Sequence, residues 1–219
     1  MDRLRRSTSL SFFVFAFCIL ASRVDLPAQT RTQSALSYVE LGDKFAQHGD
    51  FDRAISTYGI ALQFAPDFAP AYFKRGLARQ AKADFSGAIT DYSKTLELDP
   101  RCANAFYNRG NLWLSQGDVD AALADFDRAL ESDPEYVMVY NNRGIAKLGK
   151  GDIEGAIADF DHAIKANANR PEAYANRGLV RLQQGNRAEA QRDFARSISL
   201  RPSVKVFIER RVGEISQQN

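Results

Sequence analysis

The sequence predicts an all-α solenoid of five helix–turn–helix units closed by a C-terminal capping helix, and three observations predict it. Gly42, Gly76, Gly110, Gly144 and Gly178 stand 34 residues apart without a slip. Aromatic and small residues recur around them in the same register, and each unit carries a turn signal at its middle and a helix stop near its end. A period of this length belongs to stacked supersecondary units, each too small to bury its apolar face without its neighbours.

Aligned from Ala35, the units run 35–68, 69–102, 103–136, 137–170 and 171–204. The first helix (A) of each unit has an aromatic at position 4 (Tyr38, Tyr72, Phe106, Tyr140, Tyr174) and the glycine at position 8. The second (B) has alanine at position 20 (Ala54, Ala88, Ala122, Ala156, Ala190) and an aromatic at position 24 (Tyr58, Tyr92, Phe126, Phe160, Phe194). Small residues opposite large rings let two helices approach and interdigitate. Between the helices Gly49-Asp50, Gly117-Asp118, Gly151-Asp152 and Gly185-Asn186 supply a left-handed stop and then an N-cap; Ala83-Asp84 keeps only the cap. Pro66, Pro100, Pro134 and Pro202 end the B helices, while Ala168 breaks the rule and Pro171 follows it.

This pattern of aromatic, Gly, Ala, aromatic, small residue and Pro resembles the tetratricopeptide repeat over residues 35–204. The resemblance implies a right-handed superhelix whose concave groove holds a peptide or protein. Two departures stand out: position 7 is leucine only at Leu41, and position 11 is basic at Arg79, Lys147 and Arg181. Beyond the repeats, residues 203–219 are expected to form the capping helix and tail, with Val204, Ile208 and Ile215 facing the fifth unit. Residues 29–34 are polar and are expected to form a flexible lead.

Residues 1–28 read as a secretory signal. Arg3, Arg5 and Arg6 precede an uncharged apolar run from Leu10 to Ala21, short of the ~20 residues a spanning helix needs. Cleavage after Ala21 or Ala28 leaves a small residue at the cut. The expectation is export to a bacterial periplasm; an uncleaved inner-membrane anchor is the alternative, and only then would the membrane be a partner.

Removing residues 1–28 lowers the basic residues from 29 to 25 and the acidic residues from 27 to 25, so the mature chain is formally neutral. Nucleic acid is therefore not an expected partner. Cys102 is left alone, which excludes an internal disulfide. His48 and His162 lie in different units, and no metal-ligand spacing, phosphate-cradling glycine run or nucleophile–base pair is present. No enzyme and no cofactor are expected.

Two constellations remain. Arg75 with Asp91, Arg109 with Asp125, Arg143 with Asp159 and Arg177 with Asp193 occupy positions 7 and 23, and unit one lacks both, carrying Leu41 and Thr57. Charges that appear and vanish together point to bidentate pairs from helix A to helix B; the alternative is an arginine ladder gripping a ligand carboxylate. The second constellation is a stripe on helix A at positions 2, 5, 9 and 12, all on one side of a 3.6-residue helix. It holds Phe73, Leu77, Asn104, Tyr107, Asn111, Asn141 and Ile145, bordered by Asn108, Asn142 and Asn176 at position 6. Amide side chains donate and accept, so they hold a peptide backbone in either direction. The alternative is that the apolar members pack between repeats and the asparagines bond to one another. The family's carboxylate-tail clamp is not expected, because its cation positions here carry Tyr107, Glu172 and Asn176.

Overall fold

The computed structural model describes residues 27–218, so the expected signal segment lies outside the described residues apart from Pro27 and Ala28. Eleven α-helices and no strands occur among the described residues. Unit one comprises α1 (Ala28–Gln47) and α2 (Phe51–Phe64), and unit two α3 (Ala69–Ala81) and α4 (Phe85–Leu98). Unit three comprises α5 (Ala103–Ser115) and α6 (Val119–Ser132), and unit four α7 (Val137–Gly149) and α8 (Ile153–Ala166). Unit five is α9 (Pro171–Gln183) with α10 (Arg187–Leu200), and α11 (Val204–Gln218) packs on both through Ile208 and Ile215.

The segment 29–34 is not a flexible lead: it is helical, and α1 starts at Ala28 behind Pro27. Pro27 O accepts from the amides of Thr30 and Arg31, and Thr32 Oγ1 donates to Ala28 O. No helix breaker lies between Ala28 and the packed part of α1, so a helix nucleated by burial of Ala35 and Val39 extends backward at little cost.

Within a unit, the ring at position 24 lies on the glycine at position 8. Tyr58, Tyr92, Phe126 and Phe160 are at most 1% exposed. A Cβ placed on Gly110 would stand 2.8 Å from Phe126 Cε1, and the same clash recurs at 2.5 Å in unit one and 2.6 Å in unit five. The alanines at position 20 are fully buried beside these rings. Buried hydroxyls at position 27 are satisfied, Thr95 Oγ1 donating to Asp91 O and Ser197 Oγ to Pro171 O.

The turns follow a common construction. Gly49, Gly117, Gly151 and Gly185 adopt φ between +75° and +82°, and the next amide returns to the carbonyl at position 11, as from Asp118 N to Trp113 O at 3.0 Å. Asp50, Asp84, Asp118 and Asp152 then cap the B helices by accepting from the amide three residues on. Asn186 makes no such bond, so its expected cap is absent. Ala83 takes the glycine's role with φ +61°, forced left-handed because the turn closes the same way whatever residue occupies it. A helices of neighbouring units touch in units one and two, three and four, and four and five, whereas consecutive B helices make no comparable contact. The A helices therefore line the inner side of the solenoid.

Two substitutions test these constraints through urea unfolding. Gly110→Ala is expected to destabilise by about 1–2 kcal/mol, because overpacking against Phe126 outweighs the helix-propensity gain. Gly213→Ala, in a helix where an added Cβ meets nothing within 4 Å, should instead stabilise by about 0.5–1 kcal/mol. A gain at both sites would show that the ring tolerates a side chain. At the irregular turn, Ala83→Gly is expected to stabilise by about 0.5–1 kcal/mol, the relief of a left-handed alanine exceeding glycine's greater unfolded freedom; a lower unfolding midpoint would contradict it.

Candidate functional site

The position-7 arginines and position-23 aspartates meet in all four units that carry them. Arg75 Nε and a terminal nitrogen donate to Asp91 at 2.9 and 2.7 Å, and Arg109 to Asp125 at 2.8 and 2.7 Å. Arg143 does the same to Asp159 and Arg177 to Asp193, with distances between 2.5 and 2.9 Å. The remaining nitrogen reaches back to helix B of the preceding unit, to Ser93, Asp127 and Asp161. In unit one that place is Gly59, so Arg75 lacks the backward bond.

The basic residues at position 11 belong to the same network, which their sequence position alone did not reveal. Arg79 donates to Asp91, Lys147 lies 2.9 Å from Asp159, and Arg181 donates to Asp193. Unit three has Trp113 there, leaving Asp125 with one cation. Hydrogen bonds to Asp159 hold the Arg143 guanidinium above the ordinary arginine range despite partial burial. With Nε and both terminal nitrogens of Arg109, Arg143 and Arg177 occupied by the protein's own acceptors, these arginines are not presented to a ligand carboxylate.

The stripe on the A helices divides into three parts. Phe73 and Leu77 are half-buried against Ala88, Tyr92 and Leu112, so they pack between repeats. Asn104 accepts from Tyr136 Oη at 2.9 Å through its side chain and from Asn108 Nδ2 through its backbone. Burial, followed by the neighbouring Tyr107 phenol, pushes the Tyr136 phenol up to about 12. The third part is a ladder: Asn142 Nδ2 donates to Asn111 at 2.7 Å and to Tyr107 Oη at 3.3 Å, Asn141 donates to Asn142, and Asn176 donates to Asn141. One chain of amides thus crosses units three, four and five. Between units one and two the corresponding positions hold an ion pair, Lys74 with Asp43, and Tyr58 Oη also donates to Asp43.

Beside the ladder the A helices leave a concavity of ≈170 Å³ lined by Tyr107, Val137, Met138, Asn141, Asn142, Ala163, Arg170, Glu172 and Ala173. Met138, at position 2 of unit four and so on the same stripe, and Ile145 are each 39% exposed and remain open. The donors of Asn111 Nδ2 are not consumed by the ladder. Chemically the site offers hydrogen bonding in both senses beside a small apolar recess. No group of three or more His, Cys, Asp or Glu among the described residues is placed to hold a metal. His162 stacks on Tyr140 with ring centroids 4.1 Å apart, and burial raises the Cys102 thiol above its usual range, away from a nucleophile's needs.

Tetratricopeptide-repeat family profiles match residues 73–137, 148–185 and 171–204. The chain is a tetratricopeptide-repeat protein. No curated protein sequence matches it. Among solved structures, MamA superposes with a TM-score of 0.69 at 26% identity, over 74% of this chain and 95% of that one. YrrB, described as a TPR protein with an unusual peptide-binding site, gives 0.67 at 21% identity over 77% of this chain and 87% of its own. PilF of Pseudomonas aeruginosa gives 0.68 at 23% identity over 86% and 91%. These relatives share the all-helical repeat fold, and the family is one of scaffolds for protein interaction.

The unequal charge environments of the repeats generate a prediction. Asp125→Ala leaves Arg109 with only its bond to Ser93 and is expected to cost about 2–3 kcal/mol of unfolding free energy, whereas Asp91→Ala leaves Arg75 without an acceptor and Arg79 with only Gly87 O and the more distant Asp84, and should cost about 1 kcal/mol more. Equal losses in denaturant titrations would mean that the position-11 cation contributes nothing.

Proposed function

We propose that the chain is an exported scaffold that holds an extended segment of a partner protein along the A helices of units three to five. The observation that carries this reading is the juxtaposition of the amide ladder with the apolar recess around Met138. A segment lying there meets donors and acceptors for its backbone and a place for a side chain, without the helices having to reorganise. The existence of a peptide-binding site in YrrB, on the same fold, supports the reading. Relative to the full stripe, binding is shifted toward the C-terminal units, because Phe73 and Leu77 are spent on packing. Export rests on the basic and then apolar order of residues 1–28, and an anchored arm of an envelope assembly is the alternative if that segment is retained.

Capturing partners from an envelope extract and measuring affinity for the one identified tests the groove. Tyr107→Ala with Asn142→Ala is expected to weaken binding about 30-fold or more, the effect of truncating an interface tyrosine hot spot by about 2 kcal/mol. Because Tyr107 also packs on Phe126 and Tyr136, with centroids 6.4 and 5.0 Å away, the helical signal and melting of that variant must be matched to the parent. Met138→Lys, at an exposed site, should lower affinity without touching the core. A partner indifferent to both variants would place binding elsewhere. N-terminal sequencing decides export: a chain still starting at Met1 in the soluble cytoplasm would exclude it.

A further inference from the structure

The overall neutrality of residues 29–219 conceals a gradient. From Gln29 to Ile164 there are 14 Lys and Arg against 20 Asp and Glu, while from Lys165 onward there are 11 against five. The recess at units four and five lies where the chain turns basic. Its wall includes Arg170, the last residue of the loop between α8 and α9, half-buried and without any hydrogen bond or ion pair among the described residues. Its neighbours are committed: Glu172 pairs with Arg201, Arg177 with Asp193 and Asp161, and Arg181 with Asp193 and Glu189. Arg170 therefore brings an unanswered positive charge to a concavity whose apolar lining is Val137, Met138, Ala163 and Ala173, and whose one carboxylate, Glu172, is held by Arg201.

We propose that this recess selects a partner segment carrying an apolar residue and an acidic one two positions apart, the apolar side chain entering over Met138 and the carboxylate pairing with Arg170. In an extended chain, residues i and i+2 project to the same side about 6.6 Å apart, a separation that suits the two walls of one small pocket. A guanidinium prefers a carboxylate because its fork accepts two oxygens at once, and a partly desolvated site strengthens the pair. The cation comes from the loop between α8 and α9 and not from the helix-A positions, which here carry Tyr107, Glu172 and Asn176. This inference rests on the groove reading above and adds the chemistry of its ligand.

The test is a selection of random heptapeptides displayed on phage against the purified protein, followed by fluorescence-polarisation titration of synthetic versions of the selected sequences. The expected sequences share an apolar residue with Asp or Glu two positions away. Replacing that acid by its amide should weaken binding about tenfold to the parent protein and not at all to Arg170→Gln, while Met138→Lys should lose both peptides. Arg170 makes no internal hydrogen bond or ion pair, so its substitution by glutamine, which keeps part of the side chain's bulk, is expected to leave the melting temperature nearly unchanged. Peptides that respond to Met138→Lys but bind equally well as acid or amide would overturn the role of Arg170 and leave the groove standing. A selection that yields nothing, or peptides indifferent to both Met138→Lys and Asn142→Ala, would overturn the groove reading and this inference with it.

Discussion

The contact of the position-24 ring with the Cα of position 8 is the constraint on which the rest of the molecule depends. A side chain as small as a methyl at Gly76 or Gly144 would come within 2.7 Å of the ring, so the two helices of a unit can reach their observed separation only with glycine there. That separation fixes where position 7 of helix A stands relative to position 23 of helix B. The Arg–Asp pairs are formed at the edge of the same contact, and the Cβ of Asp125 would itself lie 3.2 Å from a Cβ on Gly110. Close packing and charge pairing are thus two consequences of one geometry. Unit one keeps its glycine and ring but has Thr57 for aspartate, its hydroxyl turned back to Arg53 O at 2.6 Å, so the contact forms without the ion pair, whereas every ion pair occurs in a unit that has the contact.

What was legible in the sequence follows from this asymmetry. A steric rule repeats wherever it applies: five repetitions of the glycine, alanine and rings at one spacing made the helices and their order readable, and four repetitions with one joint absence made the A-to-B arginine pairs readable. Features that occur once, or that link one unit to the next, were not. The bond from Arg143 to Asp127 joins position 7 of one unit to position 25 of another, and because that second position varies among Gly59, Ser93, Asp127 and Asp161 no pattern announced it. Position 11 was visible only as a departure from the family pattern, although its cations complete the coordination of Asp91, Asp159 and Asp193. The left-handed Ala83 was unreadable for a different reason: its residue type argues against the conformation that the closing bonds of the turn impose.

The helix-A stripe was readable as a set of positions but not as a set of roles. Period alone assigns Phe73, Tyr107 and Asn141 to the same position of successive units, yet Phe73 is drawn into the seam beside Tyr92 while Asn141 lies in an amide chain. The difference arises from the neighbours. Where the next unit offers apolar Leu112, a ring is buried, and where it offers Asn176, an amide bond forms across the seam. Burying a polar group between repeats is tolerable only when it is bonded, and the described residues contain no buried side-chain polar atom without a partner.

The amide ladder has a further consequence for recognition. Asn111, Asn142, Asn141 and Asn176 hold one another in place before any ligand arrives, so their side-chain freedom is already lost in the free protein and is not lost again on binding. The same bonds consume much of their capacity, leaving fewer groups to address a peptide backbone. Backbone hydrogen bonding of that kind orients a segment without distinguishing one sequence from another, since every peptide carries the same donors and acceptors. In the proposed groove, discrimination would fall to what lies beside the ladder, the recess over Met138 and the charge of Arg170. A repeat protein built from near-identical units in this way acquires a particular partner through the few places where its units are unlike.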